Sequence, residues 1–237
     1  MPDEDFDIES LANYLHLDAG QVAKLADRGK LPGRRVTGAW RFSAAEIHHW
    51  LEDRIGLSDA EELARVEVAL DRSAATDEET SVSLAEMLPR SAIEIPLASR
   101  TRNSVISSMI EVAVRTGWLW DPDKMAEAVR SREDLYPTAL ENGVAMLHPR
   151  RPLASILDRP FLALGRTDRG IPFASRRGFL TDVFFLICST DDRGHLRTLA
   201  RLSRLLALPT FLPELRGAQN AIEVQQVIAA GEGALPN

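Results

Sequence analysis

The sequence predicts a multidomain chain: a small, mainly α-helical module containing one hairpin, followed by an α/β sandwich with a mixed sheet. Three observations lead there. The 237 residues are 45% hydrophobic, and at roughly 100–200 residues per domain they suit two domains with their own cores. Charge is laid out unevenly. Residues 1–56 carry 7 basic and 10 acidic side chains (net −3), residues 57–90 carry 3 and 9 (net −6), and residues 91–237 carry 18 and 16 (net +2). The patterning also changes character: helical spacing and one hairpin fill the first part, whereas helices and short β-rich runs mix after Val82. The expected divisions are residues 1–56, an acidic connector over 57–81, and residues 82–237.

Composition excludes several classes. A net charge of −7 excludes a globally basic nucleic-acid coat, though not a local basic patch. The single cysteine, Cys188, excludes an internal disulfide framework and fits a reducing compartment. The acidic start MPDEDFDIES does not read as a signal peptide, and no apolar run approaches the ~20 residues of a membrane helix. A cytoplasmic protein without a membrane segment is expected. No spacing of His, Cys, Asp and Glu suggests a metal site, and no cofactor is expected.

In the first module, Ile8, Leu11, Ala12 and Leu15 share one face of a helix. Asp18 is a good N-cap for a second helix that turns Val22 and Leu25 inward, ended by a left-handed Gly29 and by Pro32. Arg35-Val36, Thr37-Gly38 and Trp40-Arg41-Phe42 alternate about a glycine turn and read as a hairpin. Ser43 caps a third helix with Ile47, Trp50 and Leu51 inside; Trp40 and Trp50 are expected in the core. Between Ala19 and Arg41 lie six basic residues and one acid, Asp27, a local net charge of +5. Leu57 to Arg72 reads as a polar amphipathic helix, with Leu63, Val66 and Leu70 at helical spacing, and Ser73 to Ser81 as a linker.

The stretch LANYLHLDAGQVAKLADRGKLPGRRVTGAWRFSAAEIHHWL resembles the excisionase/MerR-type winged helix-turn-helix domain over about residues 6–55. Arg28-Gly29-Lys30-Leu31-Pro32, Gly38, Trp40-Arg41-Phe42 and Trp50-Leu51 carry the resemblance. It implies DNA binding, with Gln21, Lys24 and Arg28 on the second helix and Arg34, Arg35 and Arg41 on the wing, and a homodimer if two half-sites are read. Ala19 and Gly20 stand where such domains carry polar or basic residues, which favours backbone docking over base reading. A solvated basic face, or a module reused for protein contact, is the alternative.

In the second part, short helical and strand signals at Leu84–Leu88 and Ile93–Ile95 precede a helix from Asn103 to Thr116, stopped by Gly117. Asp121-Pro122 starts the next helix, to about Glu133. Three β-rich runs follow, Gly143–Leu147, Phe161–Leu164 and Val183–Cys188, then helices over roughly His195–Leu206 and Ile222–Ala230. Cys188 reads as a small buried hydrophobe, Asp191 and Asp192 as loop caps, and Trp118 with Trp120 as a helix-end cluster.

The stretch REDLYPTALENGVAMLH (Arg132 to His148) resembles the active-site segment of phosphotransferase-system enzyme IIA domains of the fructose/mannitol and nitrogen-regulatory type. Arg132, Glu133, Leu135, Thr138, Asn142, Gly143, Val144, Ala145 and His148 match without a gap, and His195-Leu196 follows in the family's order. The resemblance covers about residues 82–232. It implies that His148 accepts a phosphoryl group from an HPr-like phosphocarrier, that His195 contacts the phosphoryl oxygens, and that Arg132 and Thr138 supply charge and a hydroxyl. Neutral imidazole suits this, being nucleophilic near pH 7. Tyr136, Pro137, Ala139 and Glu141 replace glycine or serine of the family pattern, Leu147 replaces the proline before the histidine, and Pro149-Arg150-Arg151 follows it. The combined expectation is a regulator coupling DNA binding to a phosphoryl acceptor, a stoichiometric relay and not a turnover enzyme. The alternatives are an unphosphorylated partner- or ligand-binding sensor, and a component passing phosphate to a sugar permease.

Overall fold

The computed structural model describes residues 5–15, 17–43, 46–47, 50–51, 83–135, 137–173 and 178–235. The expected helix over 57–72, the linker over 73–81, Tyr136, and the first module's His16, His48 and His49, which its sequence suggests as surface or packing residues, lie outside the described residues. The chain divides into two compact units, with the main boundary between Val82 and Ser83.

The first unit opens with α1 (Ile8–Leu15), which buries Leu11 and Ala12. Asp18 caps α2 (Ala19–Asp27) through a capping box in which the Gln21 side chain accepts from the Asp18 amide. Gly29, at φ +65°, closes the helix with both bonds of a Schellman turn, Gly29 N–H to Ala26 O and Lys30 N–H to Leu25 O. Strands β1 (Arg34–Val36) and β2 (Ala39–Arg41) pair antiparallel about Thr37 and Gly38, both at positive φ, as a two-residue hairpin turn demands. Phe42 then pairs with Phe6 through two backbone bonds, and residues 46–47 and 50–51 are helical. Leu11, Val22, Leu31, Phe42, Ile47 and Leu51 form the core. Trp40 and Trp50 are only half-buried, because each indole N–H donates outward from that core, to Asp27 and to the Lys30 carbonyl respectively.

The second unit runs α3 (Leu84–Met87), a 3-10 turn, β3 (Ile93–Glu94), α4 (Arg102–Val114), α5 (Pro122–Leu135), β4 (Val144–Leu147), β5 (Phe161–Pro172), β6 (Leu180–Cys188), α6 (Asp192–Ala207), α7 (Phe211–Gly217) and α8 (Ala221–Ala234). The sheet order is β3-β5-β6-β4, with β5 and β6 antiparallel and the two outer strands parallel to their neighbours. It is a mixed sheet, and its strand interiors are almost wholly buried. Helix α4 packs on β5 and β6 and α5 packs on α4.

Several elements differ from the sequence reading. Strand β5 continues eight residues beyond Leu164 because it forms a long ladder with β6, broken by a register shift between Arg166 and Ile171. Its Gly165 has no room for a methyl, which would stand 2.6 Å from the Met109 sulfur. Helix α7 carries no long period and contains Pro213, yet Phe211, Leu212 and Leu215 are buried. Helix α6 begins three residues before His195, capped by Asp191 accepting from Gly194 N–H. Trp118 and Trp120 do not cluster. Trp118 meets the Phe161 ring edge-on at 5.6 Å under the Arg159 guanidinium, while Trp120 is exposed.

Candidate functional site

Parallel strands set the site. Leu147, the last residue of β4, stands opposite Leu186 of β6, so the chain leaves both strands side by side. His148 follows β4 directly; Ser189 follows Cys188, the end of β6; and His195 lies in the first turn of α6. Their ring centroids are 5.0 Å apart and tilted by 55°. Both rings are buried, His148 with 3% and His195 with 4% of its surface exposed.

His148 Nδ1 lies 2.8 Å from the Met146 carbonyl oxygen. A carbonyl only accepts, so in the neutral ring Nδ1 carries the proton and Nε2 the lone pair. In that tautomer Nε2 is the ring nitrogen able to act as a nucleophile. His195 Nδ1 lies 3.1 Å from Ser189 Oγ, which is itself buried. The His195 amide is already bonded to the Asp191 carbonyl, and the Gly194 amide to the Asp191 carboxylate. The first turn of α6 therefore contributes the His195 ring to the site, and these two N–H groups are taken.

Helix α5 buries Met125, Ala126 and Val129, and the same stripe continues into Arg132 and Glu133. A stripe that ends in two charged residues is the signal that sequence reading passed over for Glu133. Its carboxylate accepts from both the Thr138 amide and the Thr138 hydroxyl. Burial pushes the Glu133 carboxyl above the usual range, and the two Thr138 bonds, His148 and Arg102 pull it part of the way back. Thr138, expected to offer its hydroxyl to a phosphoryl group, instead donates it to Glu133. Arg132 is buried as well, at 5% exposure.

The segment delivering His148 is closed tightly. Leu140 N–H bonds Val144 O, and Ala139 bridges Ala145. Gly143 turns the chain at φ +86° beneath Arg216 of α7. Arg216 grips the Asp182 carboxylate through two nitrogens and also donates to the Asn142 carbonyl at 2.8 Å. Asp182 raises the Arg216 guanidinium above its ordinary value by accepting that bond. Arg150 and Arg151, just beyond the histidine, are exposed.

In the first unit Gln21 and Lys24 are exposed on α2 and Arg28 at its C-cap, with the Gln21 oxygen engaged in the N-terminal cap. Arg34 and Arg35 on β1 are exposed and pair with Asp5 at 2.8 Å and Asp27 at 3.1 Å. Arg35 also lies over the Trp40 ring at 5.1 Å. Arg41, half-buried, stands opposite Arg34 across the hairpin. All six expected residues thus fall on α2, its C-cap and the hairpin.

Among the described residues, no cluster of three His, Cys, Asp or Glu could hold a metal ion, and no helix is long and apolar enough to cross a membrane.

Comparison with known proteins accounts for both units. A family model described as "Phosphoenolpyruvate-dependent sugar phosphotransferase system, EIIA 2" matches residues 86–231, and a helix-turn-helix domain model matches residues 6–55. The chain is 33% identical over 131 residues to a nitrogen regulatory protein of Bradyrhizobium diazoefficiens, covering 54% of this chain and 84% of that one. It is 28% identical over 149 residues to the PTS system fructose-specific EIIABC component of Bacillus subtilis. That match spans 62% of this chain but only 23% of the longer relative. The crystal structure of nitrogen regulatory protein IIA-Ntr from Neisseria meningitidis superposes with a TM-score of 0.55 at 23% identity, covering 61% of this chain and 97% of that one. The chain therefore belongs to the EIIA 2 family and carries an N-terminal helix-turn-helix domain.

Proposed function

We propose that this EIIA 2 family member is a cytoplasmic regulator in which His148 accepts a phosphoryl group from an HPr-like phosphocarrier and the helix-turn-helix domain binds DNA. One observation carries the first half: two buried imidazoles 5.0 Å apart, one with its Nδ1 proton held by a backbone carbonyl. In the transfer, His148 Nε2 attacks phosphorus and forms the new N–P bond. The carrier's N–P bond breaks, and its electron pair returns to the carrier ring. His195 and Arg132 meet the phosphoryl oxygens. Relatives of both the fructose-specific and the nitrogen regulatory kind match this unit, and the attached helix-turn-helix domain favours a regulatory output over sugar delivery.

The second half rests on the basic surface of α2 and the hairpin, where Lys24, Arg28, Arg34, Arg35 and Arg41 would meet phosphates. The phosphorylation state of His148 then biases DNA binding or partner choice.

Incubation with phosphoenolpyruvate, enzyme I and HPr tests the acceptor. Acid-labile phosphate that disappears in His148→Ala is expected, and absence of label under every condition overturns it. A mobility-shift screen with genomic fragments at low salt tests the DNA half; no shift at any protein concentration sinks it.

A further inference from the structure

We propose that Ser189 is a positioning residue that fixes His195 in its Nε2–H tautomer, so that the two site histidines are held in opposite tautomers. The proposal rests on His148 being the phosphoryl acceptor and adds how its partner ring is prepared. The two imidazoles look alike in sequence, but their Nδ1 atoms meet different chemistry. His148 Nδ1 faces the Met146 carbonyl oxygen, which has no proton to give. His195 Nδ1 faces the Ser189 hydroxyl at 3.1 Å, which can donate. When Ser189 donates, Nδ1 holds the lone pair and the ring proton sits on Nε2. One ring then presents a lone pair, able to attack phosphorus, and the other an N–H, able to bond a phosphoryl oxygen. Neither ring has to exchange a proton before the transfer, and His195 keeps its proton throughout.

The fold places Ser189 firmly enough for this work. It directly follows β6, whose Leu186 is registered against Leu147 next to His148. Its backbone carbonyl accepts from Leu153 N–H at 3.2 Å, on the segment that follows His148. Two residues on, Asp191 fixes the start of α6 and hence the height of His195. Ser189 is buried, at 3% exposure, so bulk water does not compete freely for its hydroxyl. Phosphoryl oxygens carry the negative charge to be matched, and an N–H held in place is worth more there than one that must first reorient.

The experiment is a long-range proton–nitrogen spectrum of the full chain with labelled histidine, on the wild type, Ser189→Ala and Ser189→Thr. The expected result is Nδ1–H for His148 and Nε2–H for His195 in the wild type. Ser189→Thr keeps that pattern; Ser189→Ala loses it at His195 alone. Phosphoryl transfer from HPr should fall by about tenfold in Ser189→Ala, the size of one hydrogen bond, and recover in Ser189→Thr. An Nδ1–H signal for wild-type His195 overturns the proposal without any variant, even if Ser189→Ala does not fold. So does a Ser189→Ala protein that loses rate while His195 keeps its tautomer, since Ser189 would then be merely structural. Failure of the acceptor reading shows separately, as a wild type that takes no label whatever its tautomers.

Discussion

Replacing Gly143 by alanine should destabilise the second unit by about 2–4 kcal/mol, and the cost divides into two parts that can be measured apart. The first part is backbone. Gly143 holds φ +86°, and an L residue in the left-handed region costs about 1–2 kcal/mol. The second part is contact. The new methyl would stand 2.6 Å from Arg216 Nη2, 3.0 Å from Asp182 Oδ1 and 3.3 Å from the Leu180 carbonyl. Arg216 must give way, and its bonds to Asp182 and to the Asn142 carbonyl give way with it. The pair is about a third exposed on the arginine side, so its loss is discounted to about 1–2 kcal/mol. In an Arg216→Ala background the methyl meets no guanidinium, and the backbone part should remain with only the lesser crowding against Asp182 and the Leu180 carbonyl. The double-mutant coupling is therefore about 1–2 kcal/mol. Urea unfolding read by hydrogen exchange in peptides from β4 and β6 reports this unit by itself. Additive effects, with coupling below about 0.5 kcal/mol, would refute the claim that Arg216 clamps this turn.

Other consequences follow from the same geometry. Glu133 has its folded carboxyl raised by burial, so the neutral form is the one the fold favours. Its contribution is complete below the unfolded value and is lost as pH rises through the raised one; Glu133→Gln, uncharged throughout, should gain stability relative to wild type across that window, and a flat difference in thermal melts would contradict it. Burial pushes the Cys188 thiol far above its ordinary range, so alkylation at pH 8 should require unfolding, and rapid labelling of native protein would disprove it. Substituting both Arg34 and Arg35 by alanine should flatten the log–log salt dependence of DNA binding by about 1.8 if each meets one phosphate. Their present partners, Asp5 and Asp27, form exposed pairs that yield at little cost. An unchanged slope would remove the hairpin from the interface.

Local chemistry was the legible part of the sequence. Asp18, Gly29 and the Thr37-Gly38 turn each perform the role their residue type suggests, because caps and tight turns are decided within four or five residues. His148 and His195 were legible through their motif. The length of β5 was not: Gly165, Arg166, Asp168, Arg169 and Gly170 interrupt any period, and the strand spans them because it pairs with β6 on both sides of the register shift, up to Arg166 and again from Ile171. Helix α7 was hidden for a related reason, since seven residues cannot show a helical period and its burial is tertiary. Glu133 and Ser189 were passed over because their importance lies in which atom they face.

The substitutions in the Arg132–His148 segment look more disruptive in sequence than they are in space. Glycine is needed where φ is positive or where a backbone or side chain comes too close for a methyl. In the described part of this segment Gly143 alone meets both conditions, and it is retained. Ala139 and Glu141 are not at positive φ, and Ala139 pairs with Ala145 as an ordinary extended residue. Glu141 is exposed, so water and salt screen its charge from the buried ring seven residues on. Leu147, in the place of the family's proline, is fully buried and holds its register against Leu186 up to the residue before His148. The Met146 carbonyl then meets His148 Nδ1 with no contribution from the altered side chains. What the geometry around His148 requires of this segment is one left-handed glycine under Arg216, one strand in register with β6 to which Leu147 contributes its backbone, and one carbonyl two residues before the histidine; the side chains of Ala139, Glu141 and Leu147 supply none of these.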